Sequence, residues 1–142
     1  MSFGAKTICS AFQVFPTTAW KSELEGEAFR RLEDTWGNVE LLIVNEIFFL
    51  GRAACARMHF RLQQAKRRQF SEAGMDPNEY TFGNMSIILV GDFGQLEPID
   101  DWSMCDREAT CKTCPAQRRH LWKHALQGKR LMETFREAVL LK

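Results

Sequence analysis

The sequence predicts an α/β protein in which helices flank a mainly parallel sheet. Two short and nearly continuous apolar runs support this, VELLIV at residues 39–44 and MSIILV at residues 85–90. Unbroken apolar runs of about four to eight residues are typical of strands that are buried on both faces of a parallel sheet. The helical pattern between the two runs predicts the crossover that parallel pairing requires.

Composition is that of an ordinary globular protein. The 142 residues are 45% hydrophobic and 26% charged, which fits one domain with its own core. No apolar run approaches the roughly 20 residues of a membrane span, and the start MSFGAKTICS lacks the features of a secretory signal. We therefore expect an intracellular protein without a membrane partner. The net charge of +1 neither favours nor excludes a polyanionic partner.

The first predicted helix has a four-residue period. Its apolar residues are Trp20, Leu24, Ala28, Leu32 and Trp36. Ser22 and Glu25 have the spacing of a capping box, and Gly37 marks the expected end of the helix.

The second predicted helix begins at Gly51 and is basic. Its apolar stripe consists of Cys55, Met58, Leu62 and Ala65. Six basic residues and no acid lie between Arg52 and Ser71, which predicts a local positive surface; an ordinary solvated helix face is an equally weighted alternative. Residues 71–84 and 97–118 have loop-like composition, a third helix is predicted at 120–126, and a third strand is possible at 138–141.

Polar residues follow both predicted strands. Asn45 and Glu46 end the first, and Gly91, Asp92 and Gln95 follow the second. Ligands of open α/β sheets bind beyond the carboxyl ends of the strands, so we expect Glu46 and Gln95 to lie side by side at a shared crevice. A lone acid after an apolar strand is more often an ordinary strand end, and it is the second segment, GDFGQL, that favours a nucleotide site.

These segments resemble motifs of a helicase family. LLIVNEI at residues 41–47 resembles a Walker B element, and together with GDFGQL it is similar to the Pif-type, superfamily one, 5′-to-3′ DNA helicases, especially those of Helitron transposons. Thr7 to Ala11 looks like the Thr-Ile-His-Ser segment of that family, with Cys9 in place of histidine. Residues 51–68 and the Leu121–Trp122 pair also match, so the resemblance covers most of the chain.

The resemblance implies an incomplete RecA-like P-loop NTPase domain, with residues 1–142 as part of the first motor domain of a helicase. It implies ATP and Mg²⁺ as cofactors, with Glu46 activating water, Asn45 at the magnesium position and Gln95 sensing the γ-phosphate. Asp92 would support the loop that carries Gln95. The implied partners are single-stranded or forked DNA and the remainder of the helicase.

The DNA-contacting residues that this reading predicts lie near the start of the chain and on the basic helix. They are Thr7, Ser10, Arg57, Arg61, Arg67 and Arg68. The family's roles are in DNA repair, recombination, telomere maintenance or transposon replication, so we expect a nuclear location before a mitochondrial or cytoplasmic one.

Several departures from the family pattern lead us to expect that the isolated chain does not unwind DNA. The 142 residues contain neither a G-x-x-x-x-G-K-[ST] loop nor the second RecA-like domain with arginine fingers that the family has. Asn45 stands where the family has aspartate, so Mg²⁺ would be held more weakly. Glu97 replaces a usual proline, with no derivable consequence. The alternative function is a non-catalytic nucleic-acid-binding remnant that uses the basic helix at residues 52–68.

The remaining candidates favour structural roles. A zinc site at Cys105, Cys111 and Cys114 with His120 and His124 is disfavoured because the spacing contains only one C-x2-C pair. Aromatic side chains near the strands, Phe48, Phe49 and Phe93, are expected in the core more than in base stacking. His59 is expected to be a partly exposed structural histidine.

Overall fold

The structure is a computed structural model that describes residues 6–14, 20–92, 97–98, 100–104 and 121–139. Its α-helices are α1 (Ile8–Phe12), α2 (Gly26–Trp36), α3 (Arg52–Glu72) and α4 (Trp122–Met132). Its strands are β1 (Leu41–Val44) and β2 (Ser86–Leu89), and short 3-10 turns cover Ile47–Phe49, Pro77–Glu79 and Thr81–Asn84. None of the helices in these ranges is long and apolar enough to cross a membrane.

The two strands pair in parallel, which confirms the predicted crossover. Leu41 lies opposite Ser86 and Val44 lies opposite Leu89, with α3 between the strands in sequence. Both strands are shorter than the apolar runs. The backbone of Val39 is bonded elsewhere, since its N–H donates to the Trp36 carbonyl at 3.2 Å and its carbonyl accepts from Lys66 Nζ at 2.7 Å. The first strand therefore starts two residues later than predicted.

One face of the sheet is apolar and open. Leu41, Ile43 and Ile88 are each about half exposed, at 49%, 60% and 48%, and Ile43 is the register partner of Ile88. The sequence predicts burial on both faces, as in most parallel sheets. Among the residues that the structure describes, this face has no complete cover.

The helix α2 begins later than predicted. The capping box of Ser22 and Glu25 is wrong, because the helix starts at Gly26 and its N-cap Glu25 makes no side-chain capping bond. The preceding backbone is bonded to side chains of α3 instead: the Ser22 carbonyl accepts from Arg61, and the Leu24 N–H and carbonyl both bond the Gln64 amide. The predicted end at Gly37 is confirmed.

The chain divides into two compact units. Unit 1 comprises Met1–Val44 and Arg57–Leu89, and unit 2 comprises Asn45–Ala56 and Val90–Lys142, so α3 contributes to both. The predicted apolar stripe of α3 is confirmed, because its members are at most 1% exposed: Cys55, Met58, Leu62 and Ala65.

Unit 2 has its own apolar cluster around Trp102. Ala53, Leu121 and Ala125 are buried with it, and Trp122 packs against it edge to face, with ring centroids 5.6 Å apart. The helix α4 continues to Met132, six residues past the predicted end, because Ala125, Gly128 and Leu131 keep one face buried. Ala138 and Val139 belong to no strand, and Leu140 and Leu141 lie outside the described residues.

Candidate functional site

Asn45 and Glu46 are exposed directly after a buried strand end. Val44 is 3% exposed, whereas both residues that follow it are open to solvent. Glu46 has φ 58° and ψ 47°, the left-handed region that a residue with a Cβ adopts only at a cost of about 1 kcal/mol or more. This turn of the backbone starts the 3-10 turn, which buries Ile47 and Phe48 while Glu46 stays exposed.

The segment after β2 is bonded to the segment that carries Glu46. The Ile47 N–H donates to the Val90 carbonyl at 3.0 Å. Gly91 lies so close that a Cβ there would approach Ile47 Cγ2 to 2.7 Å, which explains why a glycine stands at this point. Asp92 follows and is exposed. The two strand-end motifs are thus adjacent in unit 2, as the parallel pairing predicts.

Gln95 lies outside the described residues, so the expected pairing of Glu46 with Gln95 stays a prediction. Phe93 lies outside them as well. The geometry that the structure describes is therefore that of Asn45, Glu46 and Asp92, each with an exposed side chain.

These side chains fit a weak magnesium site. The described residues contain no group of three or more His, Cys, Asp or Glu side chains that could hold a metal ion by themselves. A Mg²⁺ site needs fewer protein side chains, because the ion is usually held by one or two carboxylates together with substrate phosphates and waters. The exposed oxygens of Asn45 and Glu46 meet that smaller requirement, and the neutral amide contributes no charge to the ion.

The first described segment of the chain contains a short helix with a side-chain cap. Thr7 and Ser10 are both exposed, and Thr7 Oγ1 accepts the Ser10 N–H at 3.3 Å as the N-cap of α1. This bond gives Thr7 a structural role at the position where the resemblance implies a DNA contact. The Thr7 hydroxyl can still donate to a phosphate while it accepts this bond.

The predicted positive surface of the second helix is wrong for most of its residues. Four of its six basic residues are buried, with exposures of 7% or less: Arg52, Arg57, Arg61 and Lys66. Arg67 and Arg68 remain exposed. Long basic side chains can bury their stems and bond backbone carbonyls, so a run of positive charge in sequence does not guarantee a positive surface.

Arg61 illustrates the inward arrangement. Its guanidinium donates to the carbonyls of Phe12, Ser22 and Lys21 at 3.3, 3.0 and 2.8 Å, and it lies 4.1 Å from the centre of the Trp20 ring. Burial, and then the charge of Arg57, lowers the pKa of Arg61 to about 10, so the group stays protonated at neutral pH. In this arrangement Arg61 bonds the backbone at Phe12, Lys21 and Ser22 and does not face solvent.

Arg57 shares the same aromatic partner. Its guanidinium carbon lies 5.1 Å from the centre of the Trp20 ring, and the residue is 4% exposed. Cation–π contacts of this kind are worth about 0.5–2 kcal/mol each. The structure therefore gives Arg57 and Arg61 packing roles in unit 1, and the sequence signal that could have found them is Trp20.

Arg67 and Arg68 are the basic residues of α3 that can reach a phosphate. Each is in an exposed ion pair, Arg67 Nη2 with Glu23 at 2.9 Å and Arg68 Nε with Glu72 at 3.1 Å. The bond from Arg67 and its charge lower the pKa of Glu23. Exposed pairs contribute little stability, about 0–1 kcal/mol, so a phosphate could replace the carboxylate at small cost.

His59 is buried, not partly exposed as predicted. It is 5% exposed, and its Nδ1 accepts the Phe82 N–H at 2.9 Å. Burial lowers the pKa of His59 to about 4, so the ring is neutral at physiological pH. The structural role that the sequence predicts agrees with this geometry.

The cysteines and aromatic residues give mixed outcomes. Cys55 is buried, and burial followed by the charge of Asp101 raises the pKa of its thiol to about 12. Phe48 is in the core as predicted, whereas Phe49 is 51% exposed. The candidate zinc residues Cys105, Cys111, Cys114 and His120 lie outside the described residues.

Sequence reasoning assigned no role to Asp101. Its carboxylate is buried and bonds the first turn of α3 across 48 residues of sequence. The only local signal is Gly51, which leaves the start of a long helix without a side-chain cap of its own.

Comparison with known proteins agrees with the motifs. The family model for PIF1-like helicase matches residues 2–140. Searches of curated proteins and of solved structures give no significant match. Together with the parallel crossover, the family match identifies the fold as a partial RecA-like domain. The chain belongs to the PIF1-like helicase family.

Proposed function

We propose that this chain forms the nucleotide-facing part of the first motor domain of an ATP-dependent DNA helicase that moves 5′ to 3′ and acts in the nucleus. Helicase function and the use of ATP, Mg²⁺ and DNA follow from the family. The observation that carries the finer proposal is the exposure of Asn45 and Glu46 directly after the buried end of a parallel strand, in a segment bonded to the second motif.

The proposed roles follow from the side chains. Glu46 is a carboxylate that can accept a proton from an attacking water, and its left-handed backbone holds it out of the core. Asn45 would bind the waters around Mg²⁺, an ion that neutralises phosphate charge when bound. Gln95 can donate and accept through its amide, which suits a group that responds to the γ-phosphate. Asp92 would support the loop that bears Gln95.

The proposal includes the remainder of the helicase as a partner. The open apolar face with Leu41, Ile43 and Ile88 supports this, because parallel sheets normally have both faces covered. No Walker A loop is present in the 142 residues, so the isolated chain should bind ATP weakly and should not turn it over. The alternative of a DNA-binding remnant loses support because most of the basic helix is buried.

The test restores the charge that the family has at the magnesium position. Asn45→Asp should tighten Mg²⁺-dependent binding of a fluorescent ATP analogue about tenfold, since a charged ligand is worth roughly 1.5–3 kcal/mol. Asn38→Asp, another exposed asparagine of the same chain, is the matched control and should have no effect.

Equal affinities for Asn45→Asp and Asn38→Asp would contradict the magnesium position. A phosphate-release assay with single-stranded DNA tests the expected inactivity. Robust turnover that Glu46→Gln abolishes would keep the assigned role of Glu46 and show that the absence of a Walker A loop had been misjudged.

A further inference from the structure

Asp101 caps the first turn of α3 from a distant part of the sequence. Its Oδ1 accepts the Ala53 N–H at 3.0 Å and the Trp102 N–H at 2.8 Å, and its Oδ2 accepts the Ala54 N–H at 3.0 Å. One buried carboxylate therefore satisfies three backbone donors. A carboxylate at this position complements the positive end of the helix dipole.

The start of α3 is built to receive this carboxylate. Gly51 precedes the helix, and a Cβ at Gly51 would overlap the Asp101 side chain. The next donor is also used, because the Arg52 N–H donates to the Trp102 carbonyl at 2.9 Å. The helix has no acidic residue in its own first turn. Its N-terminal N–H groups are thus bonded by Asp101 and Trp102 and not by a local cap.

The residues that precede α3 are also bonded to the residues that follow β2. Ile47 donates to the Val90 carbonyl, and Gly91 packs against Ile47. Residues 45–54 are therefore bonded at two places within unit 2, at Val90 and at the Asp101–Trp102 pair. Glu46 precedes the first connection on one segment, and Asp92 follows it on the other.

We infer that Asp101 is a positioning residue, which fixes the direction of the segment bearing Asn45 and Glu46 by bonding the start of α3. If the bonds of the Asp101 carboxylate are lost, fewer bonds join the start of α3 to the second segment, so the short turn from Ile47 to Leu50 is held less firmly. The inference rests on the proposed function, because the position of the segment affects activity only through the role proposed for Glu46. Its bonds and its test do not involve nucleotide.

The test measures amide hydrogen exchange by NMR on the isotope-labelled chain. Asp101→Ala should raise exchange at Ala53 and Ala54 at least about fivefold, as expected when a helix loses a side-chain cap. It should also raise exchange at Ile47, a residue that Asp101 does not touch, by a similar factor. Asp101→Asn keeps one acceptor oxygen and should give a partial effect at all three amides. Asp100→Asn, the same change at an exposed neighbour, should have none.

Faster exchange at Ala53 and Ala54 with unchanged exchange at Ile47 would mean that Asp101 acts only as a helix cap. This result would overturn the inference. If Asp101→Ala does not fold, the Asp101→Asn protein decides by the same comparison. Failure of the Asn45→Asp experiment would leave these exchange results intact, so failure of the proposed function and failure of the positioning role are distinguishable.

Discussion

Unit 1 buries several cationic side chains, whereas most of the described acids of unit 2 are exposed. Unit 1 turns cationic groups inward, where Arg61 bonds three backbone carbonyls and shares the Trp20 ring with Arg57. Unit 2 leaves Asn45, Glu46 and Asp92 open to solvent after the strand ends. Asp101, the buried acid among the described residues of this unit, bonds backbone N–H groups.

The difference shows what a charge near a core requires. A buried charge is tolerated when backbone groups of opposite partial charge bond it fully, as at Arg61 and Asp101. An exposed charge after a strand end is solvated and remains accessible to a ligand. Exposure, and not the number of charges in a segment, therefore separates structural residues from candidate functional ones.

The largest effect should come from breaking the inward arrangement at Arg61. Arg61→Met would leave the carbonyls of Lys21 and Ser22 without their donor, and we expect unfolding free energy to fall by about 3 kcal/mol. Urea denaturation measures this change. Arg61→Lys keeps one charged donor, so its unfolding free energy should fall less than that of Arg61→Met.

Arg68→Met is the matched control for Arg61. The same substitution removes an exposed ion pair with Glu72 and should change unfolding free energy by less than about 0.5 kcal/mol. Similar losses at Arg61 and Arg68 would mean that Arg61 is exposed in solution, and the contrast between the units would fail.

A second test uses the buried neutral ring of His59. Its pKa is 6.5 when unfolded and about 4 when folded, so the unfolded chain binds more protons between these values. This contribution to stability is fully present above about pH 6.5 and is lost as pH falls toward 4. The loss should reach about 3 kcal/mol, measured by urea denaturation at several pH values.

His59→Asn separates this effect from other titrations. The asparagine amide can accept the Phe82 N–H but does not titrate, so the variant should lose less stability than the wild type as pH falls from 6.5 to 4. Parallel pH profiles for the two proteins would show that His59 titrates as an exposed group.

The smallest effect concerns DNA. If Arg67 and Arg68 are the phosphate-contacting residues of α3, Arg67→Gln and Arg68→Gln should each lower the salt slope of single-stranded DNA binding by about 1. Fluorescence anisotropy at several salt concentrations measures the slope. Arg61→Lys keeps the buried charge and should leave the salt slope of DNA binding unchanged.

Arg30→Gln, at an exposed arginine of α2, is the control for nonspecific loss of charge. Equal changes for Arg30→Gln and Arg67→Gln would mean that α3 carries no particular contact. Strong salt-dependent binding of single-stranded DNA that does not change when nucleotide is added would instead favour the DNA-binding remnant.

The sequence was sufficient for the parallel pair and its crossover. The apolar runs around Val44 and Leu89 have the length and lack of alternation of buried parallel strands, and no tertiary information is needed to see them. The exposed positions of Asn45 and Glu46 follow for the same reason, because polar residues that end a buried strand stop the run. The end of α2 at Gly37 is equally local.

The burial of Arg61 and the role of Asp101 could not be predicted in the same way. The hydrogen-bond partners of both are mainly backbone groups, which carry no side-chain identity, and apart from the Trp102 N–H beside Asp101 these groups lie 39 to 49 residues away in sequence. The predicted capping box at Ser22 failed for the same reason, since a distant arginine bonds the carbonyl at that position. The spacing of residues along the sequence does not reveal hydrogen bonds between a side chain and a distant backbone group.

The open side of the sheet has a practical consequence for work with the purified chain. Leu41, Ile43 and Ile88 form a water-exposed hydrocarbon strip on two extended strands. Surfaces of this type adhere to one another, so self-association should increase with protein concentration and with salts that strengthen hydrophobic contacts. Dilute samples and a charged replacement at Ile43 would keep the protein monomeric for the measurements above.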